Sequence, residues 1–380
     1  MRRQLVHILT RPLEDQNVVA FVAPLFANRR LLKDAGVTFR CFEAPAPELT
    51  DCDVLIVNSA FWRGPWVERR AEAMSFIAKL VEQAPQVLFF DRASTAGTVN
   101  ADVLPLVRRY YKTNLLRDRS LYQRPLYGLR QFTDYYHRQF DVIDPEPAWS
   151  SPVKDARDLD KLRVSWNTAF GNYSLLGPRL SALYSRLPIA ALMRPARRFH
   201  PPSADRPIDL SCRMGLSYKY ETVAFQRRRM AELLREYRRT DRVSKIAYVR
   251  ELRQSKIVLS PFGYSEVNYK DFETFIAGAV LLKPDMAHLE TYPDLYRPDA
   301  TYIAHRWDFA DLRERIAQIL DSYGDYVEVA RRGQAHYRAS VASRDGSERF
   351  VAYFIALLAE AAADSPGSGP AVAAPAQPAS

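Results

Sequence analysis

The chain has 380 residues, 47% hydrophobic and 26% charged. These proportions belong to a soluble globular protein and exclude wholesale disorder, collagen-like repeats and a disulfide scaffold. At roughly 100–200 residues per domain the length predicts two domains. The net charge of +10 comes from 54 Lys and Arg against 44 Asp and Glu, with 17 basic and 7 acidic residues in 194–256 and 8 and 2 in 104–140, a local excess that favours an anionic partner.

In chain order, short runs rich in Val, Ile and Phe predict strands at Leu5–Leu9, Val37–Phe42, Asp53–Asn58 and Gln86–Asp91, with helical spacing at Asn17–Asp34 and Val67–Gln83 between them. A longer helical stretch is expected over Asn100–Asp118. The Pro- and Asp-rich segment Asp144–Asp160 reads as a surface connection, and Leu180–Leu187 as a short helix. After the Pro-rich basic stretch Met193–Pro207 the alternation restarts. Strands are expected at Ile208–Cys212, Lys256–Pro261, Ala279–Pro284 and Ala300–Ala304. Helices are expected at Thr222–Arg239, Ser244–Gln254, Tyr269–Ala277, Phe309–Ser322, Asp325–Ala342 and Gly346–Ala362. The fold class is therefore α/β, with two Rossmann-like domains, 1–193 and 194–362, facing a central cleft, and a disordered tail over 363–380. No apolar run reaches the roughly 18 residues of a membrane span. The N-terminus is a poor signal peptide, and the three scattered cysteines, Cys41, Cys52 and Cys212, suit a reducing compartment. The expected location is cytoplasmic, with the inner face of an anionic membrane as a further contact.

Ligands of open α/β sheets bind outside the carboxyl ends of the strands, so the residues just after each strand are the site candidates. Arg213 and Gly215 follow the strand ending at Cys212. Arginine supplies a bidentate fork for phosphate and glycine lets the backbone approach. The stretch Ser260–Pro284 (SPFGYSEVNYKDFETFIAGAVLLKP) is the most informative. Tyr264, Glu266, Lys270 and Glu273 fall at the crevice mouth or on the first helical turns. There a carboxylate accepts hydrogen bonds from ribose or sugar hydroxyls and a lysine pairs with phosphate. His288, Glu290 and Thr291, and likewise His305 and Arg306, flank the same crevice, with local hydrogen bonding as the simpler role for the histidines.

Glu273, Gly278 and Pro284, with Lys270 ahead of Phe272-Glu273, resemble the donor-binding half of GT-B glycosyltransferases, nearest the exostosin-like and fucosyltransferase-like branches. Arg206–Gly215 is similar to the first C-terminal strand and phosphate loop of those families. The resemblance covers about residues 205–320. It implies a glycosyltransferase that moves a sugar from a nucleotide-sugar donor to a glycan or lipid-linked acceptor, as in bacterial surface polysaccharide or glycoconjugate synthesis. It also implies that the last helix crosses back onto the first domain. No cofactor beyond the donor and no metal is expected. Two DxD triplets, Asp51-Cys52-Asp53 and Asp158-Leu159-Asp160, lie in the wrong context for a metal-bound nucleotide. Arg213 and Lys270 would then carry the charge of the departing diphosphate.

In the first half, Asp91 ends a strand and is the leading candidate for the general base of an inverting transfer, with Asp15 and His137 behind it; a retaining enzyme needs no such base. The run Arg108–Arg138 interleaves Tyr and Arg. It fits an acidic or lipid-linked acceptor, or single-stranded nucleic acid, and an amphipathic element with tyrosines in the core explains it as well. The competing reading is thus a non-catalytic basic, aromatic module for nucleic acid or another polyanion, with nucleic acid the less favoured partner.

Overall fold

The computed structural model describes residues 3–363 apart from 12–15, 63–67, 94, 178–182, 184–186, 188–189 and 238–242. The expected helix at 180–187, the tail beyond 363 and Asp15 lie largely or wholly outside the described residues.

The first half runs β1 (Gln4–Leu9), α1 (Gln16–Ala27), α2 (Arg29–Asp34), β2 (Val37–Phe42), β3 (Val54–Asn58), α3 (Arg70–Gln83), β4 (Val87–Asp91), β5 (Tyr110–Lys112), β6 (Asn114–Leu116), α4 (Gln131–Phe140) and β7 (Leu162–Val164). Its six-stranded sheet has the order β2-β1-β3-β4-β5-β7 with every pairing parallel. Strands β3 (VLIVN) and β4 (VLFFD) are buried at every position, as a parallel sheet covered on both faces requires.

The second half runs β8 (Ile208–Ser211), α5 (Glu221–Leu233), α6 (Lys245–Gln254), β9 (Ser255–Leu259), α7 (Tyr269–Ala277), β10 (Val280–Pro284), β11 (Leu289–Thr291), β12 (Ile303–His305), α8 (Leu312–Asp321), α9 (Tyr323–Val341) and α10 (Arg344–Ala363). Its parallel four-stranded sheet has the order β12-β10-β9-β8. Helix α7 shows how local sequence sets an end. Asp271 accepts from the Asn268 N–H at its start (3.0 Å), and Gly278 closes it in the left-handed region (φ 68°). A Cβ on Gly278 would stand 2.4 Å from the His200 carbonyl oxygen, so only glycine fits.

Each half lends a segment to the other. Helix α10 packs on the first sheet. The Trp166 ring lies 5.3 Å from Phe350 and 5.8 Å from Phe354, Tyr111 donates to the Leu357 carbonyl (3.0 Å) and Tyr353 to that of Val164 (2.8 Å). In return α4 packs on the second half, with Phe132 at 4.8 Å from Phe262 and Tyr136 at 5.4 Å from Phe225 and 5.8 Å from Phe309. Asp144 accepts from the N–H and hydroxyl of Thr222 at the start of α5 (2.8 and 3.0 Å), a helix cap supplied by the opposite half. Between them β6 and β11 pair antiparallel, and Arg119 meets Glu290 beside that pair.

One expectation is corrected and two are sharpened. The stretch 100–118 is not a helix; it contains a short 3-10 turn (Leu104–Leu106), β5 and β6. Tyr110, Tyr111 and Lys112 are wholly buried in a central strand, so burial on both faces replaced the one-sided pattern of a helix. The segment 144–160 is largely exposed, as expected of a surface connection, with Asp144 at its start buried against α5. In the run 108–138 the reading with tyrosines in the core is the one that fits: Tyr110, Tyr111, Tyr122, Tyr127 and Tyr136 are each at most 2% exposed, and Tyr135 is half-buried. Among the described residues no helix is long and apolar enough to cross a membrane.

Arg206 holds the second half together at its lower edge. Its buried guanidinium donates to four carbonyls, those of Leu252 and Ser255 at the end of α6 (3.3 and 3.0 Å), Pro201 (3.1 Å) and Ala277 at the end of α7 (2.9 Å). A cation at two helix carboxyl ends is also favoured by their dipoles. Arg206→Met should cost about 3 kcal/mol by orphaning buried acceptors, read as a lower urea midpoint at unchanged slope.

Candidate active site

A cleft of about 770 Å³ opens between the two sheets. Its walls are the turns that follow strands of both: Ser59 and Ala60 after β3, Asp91 to Ala93 after β4, Thr113 after β5, Asn167 and Thr168 beyond β7, Tyr218 and Tyr220 beyond β8, and Gly263 to Ser265 with Val267 to Tyr269 after β9. The carboxyl ends of two parallel sheets therefore meet at one cavity, the place such folds bind ligands.

On the first side, Asp91 lines the cleft with its carboxylate fully occupied. Oδ2 accepts from Tyr110 (2.7 Å) and Lys112 (2.8 Å), and Oδ1 from the Ala93 N–H (2.8 Å) and Ser59 (3.4 Å). Lys112 is wholly buried, so this is an interior ion pair whose geometry fixes the turn after β4. The ion-pair partner is Lys112, on the neighbouring strand. His137 lies elsewhere, at the end of α4, stacked on Tyr127 at 3.8 Å with Nδ1 beside the Val142 carbonyl (2.9 Å).

On the second side the expected diphosphate residues are neighbours, but none of Arg213, Lys270 and Glu273 is in the cleft wall. Arg213 forms a two-point pair with Glu251 of α6 (3.0 and 2.9 Å), and Glu251 also takes the Ser211 hydroxyl (2.7 Å). Lys270 donates to the carbonyls of Arg213 and Leu259, tying the loop after β8 to β9. Glu273 pairs with Lys245 and accepts from Tyr248 (3.0 Å), joining α7 to α6. These residues brace the lobe from behind. At Gly215 a Cβ would meet open space, and its carbonyl accepts from Arg227 (3.3 Å).

Two other candidates stand at the cleft itself. Tyr264 lines it and is 43% exposed. Its ring lies edge-on to Tyr218 at 5.1 Å and to Tyr220 at 5.9 Å. Arg227 lies over Tyr218 (4.6 Å) and Arg130 near both Tyr220 (5.8 Å) and Tyr264 (5.9 Å), so rings and guanidinium groups alternate along this wall. Glu266 is buried between cleft-lining Ser265 and Val267, and neither of its carboxylate oxygens has a hydrogen-bond partner. Burial raises its pKa against the pull of Arg130, Lys112 and Lys283.

His305 is buried and His288 half-buried beside aromatic rings, His288 at 4.7 Å from Trp307 and His305 at 6.3 Å from Phe309. Burial pushes them down to about 3 and about 4, so they are neutral at physiological pH. Neither they nor Glu290, Thr291 and Arg306 line the cleft. Thr291 donates to the Pro293 carbonyl (3.3 Å), and Arg306 pairs with Asp308.

Arg130 is the functional candidate that sequence reading passed over. It is 3% exposed, lines the cleft, and donates from Nε to the Tyr264 carbonyl (2.9 Å) and from Nη1 to that of Gly128 (2.6 Å). Both acceptors are neutral, and burial lowers its pKa. Only its place in the Gly128-Leu129-Arg130 turn, with positive φ at Gly128 and Leu129, brings it there.

Lys270 provides a test of the bracing role. Burial pushes it down to about 8 from 10.5, so the unfolded chain holds more protons between those values and folding gains stability as pH rises. The penalty is fully present below pH 8. Wild type should therefore gain on Lys270→Met between pH 8 and 10.5, read as the difference in unfolding midpoints, and the gap should be flat from pH 6 to 7.5.

Residues 194–351 match the family model described as glycosyl transferase-like. No curated protein matches the chain. Among solved structures the chain is similar to sucrose-phosphate synthase from Thermosynechococcus elongatus (12% identity, TM-score 0.41, 96% of this chain and 100% of the other). It is similar also to a glycosyltransferase from Rickettsia africae ESF-5 (10%, 0.42, 96% and 100%) and to a protein described as a UDP-N-acetylglucosamine 2-epimerase from Listeria monocytogenes (12%, 0.37, 98% and 100%). At these scores the overlays are loose and add nothing to the topology. The second sheet, with the cleft wall formed by the turns after β8 and β9, lies within the segment 194–351 that is similar to the glycosyl transferase-like family.

Proposed function

We infer that the protein transfers a glycosyl group from a nucleotide-sugar donor to a glycan or lipid-linked acceptor in the cleft between the sheets. The observation that carries this reading is the position of the cleft at the carboxyl ends of both parallel sheets, with one wall supplied by the glycosyl transferase-like domain. The Lys270–Glu273 pattern and Gly278 support kinship with the exostosin-like or fucosyltransferase-like branches.

In this reading the Tyr218–Tyr220–Tyr264 wall takes the planar base or the face of a sugar ring. The hydroxyl and amide side chains of the opposite wall (Ser59, Thr95, Thr98, Asn100, Thr113, Asn167) suit a hydroxylated acceptor. The charged side chains of the wall are Asp91, already held by Lys112, and the arginines Arg92 and Arg130. The cleft is thereby electropositive and suited to a diphosphate, whose departure the metal-independent reading assigns to fixed cations. Arg213, Lys270 and Glu273 contribute by holding the loops after β8 and β9 in place.

A thermal-shift panel of UDP, GDP, CMP and ADP sugars tests the reading. One nucleotide class should stabilise the protein, and Tyr264→Ala should weaken that class by about 1–3 kcal/mol, the worth of a stacked base. No response to any nucleotide, with salt-sensitive binding of a single-stranded oligonucleotide instead, would replace it with the polyanion-binding module.

A further inference from the structure

The basic residues of 194–256 fall into two groups. Arg206, Arg213 and Arg227 hold backbone carbonyls or Glu251 within the second half, and Lys245 and Lys256 pair with Glu273 and Asp209. Arg197, Arg198, Arg250 and Arg253 do neither. All four are exposed, and none forms an ion pair with a described residue.

Packing brings these four onto one face with Arg338. On α6, Ile246, Arg250 and Arg253 recur at i, i+4 and i+7, which is a single side of a helix. Ile246 is 62% exposed, while Glu251 and Leu252 of the same helix are buried on the other side. The Arg206 guanidinium bonds the Leu252 and Ser255 carbonyls and that of Pro201 together. The segment 197–201 therefore crosses the end of α6 within the reach of one side chain. Burial, then Arg206 and Arg253, lower the pKa of His200 in that segment. On its far flank the His200 carbonyl accepts from Gln334 of α9 (2.8 Å). Arg338, exposed and one turn further along α9, stands over the Phe199 ring at 5.7 Å. None of these residues lines the cleft. The chain feeding the segment adds no counter-charge: between Asp160 and Asp205 the sequence has seven Lys and Arg and no Asp or Glu.

An anionic bilayer matches this face on two counts. Arginines without carboxylate partners are drawn to a negative headgroup layer, and an aliphatic side chain exposed among them, Ile246, enters that layer at a gain. Single-stranded nucleic acid needs free rings on which its bases stack. The rings here are covered, Phe199 by Arg338 and Tyr248 by Lys245 (5.2 Å).

We propose that Ile246, Arg250 and Arg253 of α6, with Arg197, Arg198 and Arg338, form a docking surface for a membrane rich in anionic phospholipid. This goes beyond the reading of the cleft and stands apart from it. Of the two acceptors named there, it favours the lipid-linked one.

The experiment is co-sedimentation of the full chain with vesicles of phosphatidylcholine alone and of an equal mixture of phosphatidylcholine and phosphatidylglycerol. Wild type should sediment with the mixed vesicles only, and less so as salt is raised. The double variant Arg250→Gln, Arg253→Gln should bind them about twenty-fivefold more weakly, about fivefold for each arginine removed from the surface layer. Ile246→Asn should weaken binding with the charge unchanged. These positions are exposed and outside the cleft, so every variant should melt with wild type and keep the nucleotide response of wild type. Mixed vesicles that bind the double variant or Ile246→Asn as tightly as wild type would overturn the proposal. So would a wild type that ignores both vesicles, or one whose binding to a single-stranded oligonucleotide, in place of vesicles, is what these variants lose. Vesicle binding without a response to any nucleotide sugar would remove the transferase reading and leave the docking surface standing.

Discussion

Neither sheet of this protein can cover its own apolar faces with the chain that runs beside it, and the two halves meet that need by exchange. The first sheet takes α10 from the far end of the chain, anchored on Trp166 by Phe350 and Phe354. The second takes α4 from the first half, with Phe132 and Tyr136 set among Phe262, Phe225 and Phe309. Hydrophobic burial drives both contacts, and directional bonds such as Asp144 to Thr222 fix their register. With both exchanges made, the carboxyl ends of the two sheets face each other. The cleft follows from that constraint.

Charge is distributed inside this frame in two ways. Pairs such as Asp91–Lys112 and Asp271–Lys283 are buried and mutually satisfied, and they hold turns and helix starts in place. Removing one member of such a pair leaves an uncompensated interior charge. Arg130 and Glu266 are buried without that satisfaction, and they sit where the halves meet.

Much of the frame was legible in the sequence. Strands β1 to β4 and helices α6 to α10 follow from apolar spacing with small errors at their ends, because local pattern and final burial agree there. Strand β5 was not legible: Tyr110-Tyr111-Lys112 is short and buried on every side, and its lysine is inside only because Asp91 of the adjacent strand receives it. Helix α4 was hidden because its aromatic face packs on a partner remote in the chain. Of the stretch 260–284, Gly263 to Ser265 and Val267 to Tyr269 line the cleft, and among its candidates Tyr264 is in the wall while Glu266 is buried between two lining residues. Which side of a loop faces the cavity depends on neighbours such as Glu251 and Lys245, and spacing carries no record of those.

The dependence of the first sheet on α10 bears on the order in which the molecule is made. Trp166 leaves the ribosome well before Phe350 and Phe354, and at roughly 5–20 residues per second the interval is on the order of ten to forty seconds. Through that time the Trp166 indole has Phe21 and Phe90 of its own half against it but lacks the cover of Phe350 and Phe354. That face of the first sheet is closed only once α10, nearly two hundred residues further along, has been made.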